Sequence, residues 1–454
     1  MSFNELFGSI PKGWESTTLG ILTQKDGGSI QTGPFGSQLH AADYVDDGIP
    51  SIMPKNITID GVDDSDIARV KPSDIQRLSK YTVAVGDIVY SRRGDVEKCS
   101  LITEKENGWL CGTGSLRVRV NDQRVTSEFL HAYLCHPKVR EWIVRHAVGA
   151  TMPNLNTSIL SSLPVLVPSE REVEQITKIW TCLSKKLIVN SKTNQTLESM
   201  AQAIFKSWFV DFDPVKAKMR GEQPAGMDET IAALFPDKLV ESELGMIPEG
   251  WNIQSTESLF EVKDGTHDSP QKSDKGYYLV TSKHITKGKI DISSAYLISQ
   301  TDFEKVNQRS KVETFDILLT MIGTVGEVVI VYDNPVEFAI KNVGLFKTSQ
   351  RSELVWLFYW HLQSFKMKNY LEVRMAGTTQ QYLTLKSLRT IPVILPSDEL
   401  LGRFNEVVAP LMEKIFDYHK QNQTLSNLRD TLLPKLLSGE LSLDQAQDLA
   451  ELLP

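Results

Sequence analysis

Apolar residues recur at heptad spacing in two stretches of the chain, one in each half. Two series with a step of seven lie three positions apart in each stretch, as the a and d positions of a coiled coil do. The first stretch has Val173, Trp180, Leu187, Asn194, Ala201 and Trp208 at a, with Ile176, Leu183, Asn190, Leu197 and Ile204 at d. The second has Leu401, Val408, Ile415, Asn422, Arg429 and Leu436 at a, with Phe404, Leu411, Tyr418, Leu425 and Leu432 at d. The pattern predicts two long helices.

A single apolar stripe of this kind is more typical of an ordinary helix that faces a core. Two stripes of about five heptads in the same register favour helices that pair with each other. Pro410 lacks the N–H of an intrahelical bond, so it predicts a break or kink near Ala409. Pro434 and Gly439 predict the end of the second helix.

Upstream of each helix the pattern changes to short runs of β-branched and aromatic residues with Gly and Pro between them. The runs include DIVYS and SLRVRV in the first half, and DILLT and EVVIVY in the second. An amphipathic stretch follows in each half, FLHAYLCHPKVREWIV and LVWLFYWHLQSFKMKNYL. These patterns predict a mixed α/β domain before each helix.

The two halves are copies of one unit. NQTL occurs at Asn194 and at Asn422, an offset of 422 − 194 = 228, and PSEREVEQI from Pro168 matches PSDELLGRF from Pro396 at the same offset. GDIV and FDIL match at 229, and IPKGW and IPEGW at 237. A nearly constant offset with small insertions indicates a tandem duplication.

The predicted fold is therefore α+β, a tandem duplication of a mixed α/β domain followed by a long helix, with the two helices paired with each other. The predicted parts are a first domain at 1–168, a helix at 169–210, an acidic linker at 211–246 that crosses the surface with one short helix near 228–235, a second domain at 247–396, a second helix at 397–440 and a tail at 441–454.

The chain has 454 residues, 41% hydrophobic and 23% charged, which are globular values for two to four domains. Its net charge of −8 comes from two segments. Residues 211–249 carry nine acids and four bases (−5), and the tail from Pro434 carries four acids and one base (−3). The remainder is neutral on balance, so locally basic faces remain compatible with the composition.

Cysteine usage and apolar run length predict a cytoplasmic protein with no membrane segment. Cys99, Cys111, Cys135 and Cys182 form no CxxC pair, which suits free thiols in a reducing compartment. No basic stretch leads into an apolar run at the start of the sequence, and no apolar run approaches membrane-spanning length.

Catalytic motifs are missing from the sequence. It contains neither the GxxxxGK[ST] phosphate loop nor the Asn/Asp-Pro-Pro-aromatic signature of adenine methyltransferases. His267, His284 and His361 have no metal-ligand spacing to cysteines or carboxylates. We expect no metal site and no catalysis by this chain alone.

Polar and basic residues recur beside Gly and Pro turns in both copies, where side chains can bond base edges and phosphates. An ordinary turn role is the alternative for each of them singly. Arg92 and Arg93, adjacent in a Gly-bounded turn, are the strongest candidates. The full candidate set for DNA contact is Gln31, Ser37, Lys55, Asn56, Arg92, Arg93, Thr113, Ser115, Asn154, Asn156, Lys263, Thr266, His267, Lys283, His284, Thr324, Lys341, Asn342, Thr379, Gln380 and Gln381.

Several motifs resemble the DNA-specificity subunit of type I restriction–modification systems, and the resemblance covers essentially the whole chain. They are GPFGS, GDIVYSRRGDV, GWLCGTGSLR, FKSWFVDFDP and LLPKLLSGEL. PSDELLGRF departs from the family pattern, because it lacks the Glu-Gln that Glu174 and Gln175 supply in the first copy.

The resemblance implies a non-catalytic subunit whose two target-recognition domains each bind half of a bipartite double-stranded DNA site. It also implies that the two long helices pair as an antiparallel coiled coil and hold the domains at a fixed separation. It further implies two methyltransferase subunits and restriction/translocase subunits as partners, with S-adenosylmethionine, ATP and Mg on those partners. Two other function classes remain, a self-contained DNA-modifying enzyme and a protein-interaction scaffold that does not recognise DNA.

Asparagines at seam positions predict a register for the two helices, since a buried Asn in an apolar seam favours one alignment. One register places Asn422 opposite Asn190, and Asn194 opposite Tyr418. The alternative places each NQTL asparagine opposite a leucine of the other copy. A helix over residues 173–208 is about 54 Å long, more than the ~34 Å of one B-DNA turn, which suits a spacer between half-sites.

Overall fold

A computed structural model describes residues 10–149, 152–286, 288–377 and 381–437, together with Leu6 and Leu441. The chain forms two compact units. Unit 1 comprises Met1–Lys192 and His419–Pro454, and unit 2 comprises Thr193–Tyr418. Each unit thus contains one predicted α/β domain and a segment of both long helices.

Unit 1 begins with a mixed α/β domain. Its strands are β1 (Glu15–Thr18), β2 (Ser29–Thr32), β3 (Tyr44–Val45), β4 (Ile49–Ile52), β5 (Ile57–Thr58), β6 (Gly61–Val62), β7 (Arg69–Val70), β8 (Ile88–Ser91), β9 (Cys99–Leu101), β10 (Leu110–Cys111), β11 (Ser115–Arg119) and β12 (Pro164–Val167). Its helices are α1 (Leu19–Leu22), α2 (Pro72–Arg77), α3 (Ser127–Leu134), α4 (Pro137–His146) and α5 (Thr157–Ser161), and the first long helix, α6, spans Glu170–Phe209.

Unit 2 repeats this order after an inserted segment. The insertion holds α7 (Asp213–Met219), α8 (Glu229–Ala233), β13 (Leu239–Ser242) and β14 (Gly245–Pro248). The domain has strands β15 (Asn252–Ser255), β16 (Val262–Asp264), β17 (Tyr277–Val280), β18 (Ile285–Thr286), β19 (Lys289–Ile290), β20 (Leu297–Ile298), β21 (Ile317–Thr320), β22 (Val328–Ile330), β23 (Phe338–Ile340), β24 (Val343–Phe346) and β25 (Pro392–Leu395). Its helices are α9 (Thr256–Leu259), α10 (Gln300–Ser310), α11 (Val355–Gln363), α12 (Phe365–Glu372) and α13 (Leu385–Arg389), and the second long helix, α14, spans Asp398–Leu437.

The main sheets of the two units correspond strand for strand, whereas the second sheet has four strands in unit 1 and three in the described part of unit 2. The main sheet has the order β2-β11-β8-β9 in unit 1 and β16-β24-β21-β22 in unit 2, antiparallel throughout. A second sheet, β10-β4-β7-β3 in unit 1 and β20-β17-β23 in unit 2, contains one parallel pair in each unit. The predicted α+β fold and its duplication are confirmed.

Each α/β domain begins and ends on one two-stranded ladder. Glu15 in β1 pairs with Val167 in β12, and Asn252 in β15 pairs with Leu395 in β25. The chain therefore enters and leaves each domain at adjacent positions, directly before the long helix. A domain whose ends are adjacent is a natural unit for exchange.

The long helices pair antiparallel within unit 1. Val173, Ile176 and Trp180 of α6 lie in the same buried cluster as Leu433, Leu436 and Leu437 of α14. The Arg429 guanidinium lies 5.7 Å from the centroid of the Trp180 ring. Arg429 is 6% exposed and its charge is paired with Asp60 of the α/β domain, at 2.7 Å. The Asp60 carboxylate thereby compensates the charge of an arginine that is buried at a seam position.

Aromatic residues join the same two helices within unit 2. The Phe404 ring of α14 is fully buried and contacts Phe205, Trp208 and Phe209 of α6, with centroid distances of 6.4, 5.9 and 4.8 Å. Edge-on contacts of this kind add to the burial of apolar area. The predicted heptad stripe is confirmed as the buried face of both helices.

The break predicted near Ala409 is wrong, because α14 is continuous through Pro410. Pro410 is exposed, whereas Val408 and Met412 beside it are buried in the core of unit 2. Water can therefore satisfy the carbonyl group that proline leaves without a donor, and burial of the neighbours offsets the cost of about 3 kcal/mol. Pro434 likewise does not end the helix, which continues to Leu437, and Gly439 lies outside the described residues.

The acidic linker is part of the core of unit 2, which corrects the prediction of a segment that only crosses the surface. Phe212 has a left-handed backbone (φ 55°) and its ring lies 5.7 Å from that of Trp251. Phe235 is buried and packs edge-on against Trp208 at 5.3 Å. The short helix is present as α8, capped by the Asp228 carboxylate, which accepts from the Ile231 amide at 2.8 Å.

Candidate nucleic-acid interface and spacer helices

Several loops of unit 1 converge at one edge of its main sheet. Because the strands are antiparallel, the ends of β2 and β8 and the start of β11 meet there, as Thr32 pairs with Leu116 and Ser91 with Ser115. The Gly33 amide donates to the Ser115 carbonyl at 2.9 Å. A side chain at Gly33 would meet the Gly112 carbonyl at 2.1 Å, so only glycine allows this approach.

The segment after α4 reaches the same edge of unit 1. The Leu155 amide donates to the Arg92 carbonyl at 2.9 Å, and Arg93 forms a bridge with Asn154. The backbone of this part of the edge is therefore held by main-chain bonds that do not depend on the side chains of Arg92 and Arg93.

A guanidinium, an aromatic ring and an amide lie together at this edge of unit 1. The Arg92 guanidinium is 5.7 Å from the centroid of Phe35, and its Nε is 3.4 Å from Asn154 Oδ1. Phe35 is 53% exposed, and Ser37 and Arg93 are exposed beside it. The Thr113 hydroxyl donates to the Pro34 carbonyl at 3.1 Å. The edge thus offers hydrogen-bonding groups and a flat apolar ring.

Four other candidates in unit 1 use their polar side chains within the domain. Gln31 Oε1 accepts from buried Arg117, and Asn56 accepts from the Met53 amide and donates to the Asp63 carbonyl. The buried Ser115 hydroxyl donates to the Ile52 carbonyl, and Asn156 caps α5. Lys55 is exposed and forms an ion pair with Asp66 at 2.6 Å.

Unit 2 has the same edge with different side chains. The Gly265 amide donates to the Val343 carbonyl at 2.9 Å, and a side chain at Gly265 would meet the Ile340 carbonyl at 2.5 Å. Thr266 forms a bridge with Lys341, and Asn342 has a left-handed backbone (φ 53°). The Lys341 ammonium donates to Ser269.

The exposed His267 ring contacts two polar side chains at the edge of unit 2. Its Nδ1 is 2.8 Å from Asn342 Oδ1, and its Nε2 is 3.0 Å from Asp264 Oδ2. Asp264 also pairs with Arg309, so one carboxylate links the imidazole and a guanidinium. Thr324 and Gln381 are exposed, whereas Thr379 and Gln380 lie outside the described residues.

The remaining candidates of unit 2 differ in exposure. Lys283 is exposed, and Lys263 pairs with Glu261 at 3.1 Å. His284 is buried and its Nδ1 accepts from the Thr281 amide at 2.9 Å. Burial, with the charge of Lys283 as a second cause, lowers the pKa of His284 below its usual value, so the ring is neutral near pH 7. A neutral buried ring does not supply charge to a phosphate.

The strand pairings relate the two edges position by position. Thr32 and Asp264 occupy equivalent places opposite Leu116 and Gly344, so Phe35 corresponds to His267, three residues further along in each unit. Arg93 and Asn154 correspond to Ile322 and Tyr382, which form the equivalent bridge. The sequence patterns missed Phe35 and Tyr382, although the position of Phe35 in a Gly-bounded turn is a usable signal.

Asparagine amides meet across the helix pair in unit 1. Asn190 Nδ2 donates to Asn422 Oδ1 at 3.0 Å and contacts Gln421 Oε1 at 3.3 Å, and Asn422 Nδ2 donates to the Ser191 hydroxyl at 3.3 Å. The first of the two proposed registers contains this Asn190–Asn422 pair.

In unit 2 the buried Asn194 amide donates to a backbone carbonyl, that of Ile415, at 3.2 Å. Within the described part of the chain, Asn194 Oδ1 has no hydrogen-bond partner. Tyr418, the residue proposed opposite Asn194, is half-buried, and its ring lies 4.9 Å from the Lys414 ammonium.

Replacing the two buried asparagines with leucine is expected to change stability in opposite directions. Asn190→Leu removes a paired amide and leaves Asn422 Oδ1 without its donor, which should cost about 1 kcal/mol. Asn194→Leu removes a buried unsatisfied oxygen and adds apolar contact, so a gain of about 1 kcal/mol is expected. Urea unfolding of the full chain measures the stability of both variants. If the Asn194→Leu variant proved less stable than the Asn190→Leu variant, the result would contradict this reasoning.

The sequence of each copy matches a known family. The family model described as "Type I restriction modification DNA specificity domain" matches residues 11–199 and 248–423, one match in each copy. The chain belongs to this family, and its two α/β domains are target-recognition domains.

Two relatives are specificity subunits by name. The chain is 28% identical to the type I restriction enzyme HindI specificity subunit of Haemophilus influenzae over 427 residues, 83% of this chain and 90% of that one. It is 25% identical to the type I restriction enzyme MjaIX specificity subunit of Methanocaldococcus jannaschii over 447 residues, 96% of each chain.

A solved structure shares the fold. The crystal structure of the S subunit of a type I restriction–modification system from M. genitalium matches with a TM-score of 0.50 and 16% identity, covering 96% of this chain and 98% of that one. Among the described residues, no helix is both long and apolar enough to cross a membrane.

Proposed function

We propose that this chain is the DNA-specificity subunit of a type I restriction–modification complex and binds a bipartite double-stranded target. Each target-recognition domain recognises one half of the target through its loop-bearing sheet edge. The observation that carries this proposal is that both domains have one framework but different side chains at the equivalent edge positions, such as Phe35 and His267. Two domains with the same backbone framework but different side chains at the edge are suited to recognising two different DNA sequences.

In unit 1, the side chains that contact DNA in this proposal are those of Arg92, Arg93, Asn154, Ser37 and Phe35. Arg is the commonest partner of guanine in the major groove, and Asn the commonest partner of adenine. The Phe35 ring offers apolar contact, for example to a thymine methyl group. Lys55, in the turn that packs against Gly114, is suited to a phosphate.

In unit 2, the side chains that contact DNA in this proposal are those of His267, Lys341, Asn342, Gln381 and Tyr382. These side chains offer an imidazole, an ammonium, two amides and a phenol at one edge. Lys283 stands in the equivalent place to Lys55, in a turn whose Ser282 hydroxyl is 3.4 Å from the Asn342 carbonyl, and is suited to a phosphate.

The paired long helices act as the spacer between the half-sites in this proposal. Each helix has 40 residues, about 60 Å at 1.5 Å per residue. Two methyltransferase subunits and restriction/translocase subunits assemble on the chain in the cytoplasm and supply S-adenosylmethionine, ATP and Mg. The missing phosphate-loop and methyltransferase motifs of this chain support that division of labour.

A reconstitution experiment tests the proposed function. Purified chain with S-adenosylmethionine and DNA is expected to show no adenine methylation, whereas addition of the methyltransferase subunit should give methylation at one bipartite sequence. Methylation by the chain alone would indicate a self-contained enzyme. DNA retention that ignores sequence, even with the methyltransferase subunit present, would favour a scaffold that does not recognise DNA.

A further inference from the structure

Three side chains with metal-binding atoms meet in the core of unit 1, where the start of β9 pairs with the end of β8. They are Cys99 at the start of β9 and His131 and Cys135, which are one helical turn apart at α3. All three are buried, with exposures of 2%, 4% and 7%. Their ligand atoms lie within 4.8 Å of one another.

Two of the three distances between these atoms are close to those around a tetrahedral zinc ion. The two Sγ atoms are 3.9 Å apart, and Cys135 Sγ is 3.5 Å from His131 Nε2. Zn–S bonds of about 2.3 Å and Zn–N bonds of about 2.0–2.1 Å at a tetrahedral angle place two sulfurs ~3.8 Å apart, and sulfur and nitrogen ~3.6 Å apart. Cys135 Sγ therefore already lies at zinc-site distances from Cys99 Sγ and from His131 Nε2.

A polar group lies beside the cluster. The Tyr90 hydroxyl is buried and interacts with the Cys99 thiol. A hydroxyl beside a metal-bound thiolate can donate a hydrogen bond to its sulfur, as groups around metal ligands commonly do. The other contact of His131 Nε2, to the Cys99 carbonyl, is long at 3.4 Å and is readily given up.

We propose that Cys99, His131 and Cys135 bind one structural Zn²⁺ ion in the core of the first recognition domain. Two thiolates and a neutral imidazole compensate the charge of the ion, so a buried site carries no net charge. Both thiols lose their protons to solvent when the ion binds, and no redox step is involved.

The ion would connect two parts of unit 1 directly. Cys99 belongs to the main sheet, His131 lies in α3 and Cys135 directly follows α3. The His131 ring packs edge-on against Trp180 of α6 at 5.6 Å. The site therefore lies between the sheet and the start of the spacer helix, where it would hold the domain against that helix.

Metal content of the full chain tests the proposal. Chain purified under reducing conditions from zinc-supplemented cells is expected to contain about one Zn²⁺ ion. Replacement by Co²⁺ should give thiolate-to-cobalt charge-transfer absorption, which reports sulfur ligands directly. Cys99→Ser and Cys135→Ser should each lose most of the bound metal and this absorption.

Cys111→Ser and Cys182→Ser are the matched controls, one buried and one exposed, and should retain both signals. If the Cys99→Ser variant does not fold, the zinc content and cobalt spectrum of the unaltered chain still decide the question. Folded chain with less than about a tenth of an equivalent of zinc and no cobalt absorption would overturn the proposal. A Cys99–Cys135 disulfide in reduced preparations, or unchanged zinc in both serine variants, would overturn it as well.

Discussion

Replacing Arg92 and Arg93 together with alanine is expected to weaken discrimination at one half of the DNA target at least 30-fold and to leave the other half unchanged. Each bidentate contact to a base contributes about 1–3 kcal/mol of discrimination, and two contacts at the lower limit give roughly 30-fold. The fold should persist, because the Arg92 backbone is held by Gly114 and Leu155 rather than by its side chain.

Methylation of a library of target variants by the complex with the methyltransferase subunit measures this effect. Lys25→Ala with Lys105→Ala is the matched control, since it also removes two positive charges from unit 1. Lys25 precedes β2 and Lys105 follows β9, so both exposed lysines lie at the opposite edge of the sheet. Equal relaxation of both half-sites by the Arg92 and Arg93 variant would show that the two domains do not recognise DNA independently.

Phe404→Ala is expected to lower the stability of unit 2 by about 3–5 kcal/mol, the typical cost of deleting a buried phenyl ring. The residue is fully buried against three aromatic rings of α6, so the cavity has few flexible neighbours that could fill it. Hydrogen exchange should therefore rise in the α6 segment 193–209 and the α14 segment 398–418.

Val407→Ala provides the control on the same helix. Val407 is 38% exposed, so its truncation should change stability by less than about 0.5 kcal/mol. Equal hydrogen exchange in the two variants would mean that the Phe404 cluster does not hold the helix pair together in unit 2.

The long helices were predictable because burial on a helix follows a period that the sequence displays directly. The heptad positions Val173, Trp180 and Phe404 are buried in the structure. The effect of Pro410 was not predictable from the proline itself, because it depends on how firmly Val408 and Met412 are buried in the core of unit 2. The role of the linker also required the tertiary structure, since Phe212 and Phe235 bury their rings against residues that the linker sequence does not contain.

The candidate interface was predictable as a set of turns but not residue by residue. Asn56, Asn156 and Arg92 look alike in the sequence, as polar residues beside turns. The structure shows that the two asparagines bond the backbone of their own domain, while Arg92 lies beside an exposed ring. The cluster of Cys99 and Cys135 was hidden because the two thiols are 36 positions apart and meet only when α3 packs on the sheet.

Genome-wide mapping of methylated adenines tests the central claim most directly. The native chain and a variant with residues 14–168 replaced by another recognition domain are each co-expressed with the methyltransferase subunit. The exchange is structurally reasonable because Glu15 and Val167 pair with each other, so both junctions lie at one place. We expect a bipartite methylated sequence in which only one half changes on exchange. A change in both halves, or a methylated sequence that is not bipartite, would contradict the account.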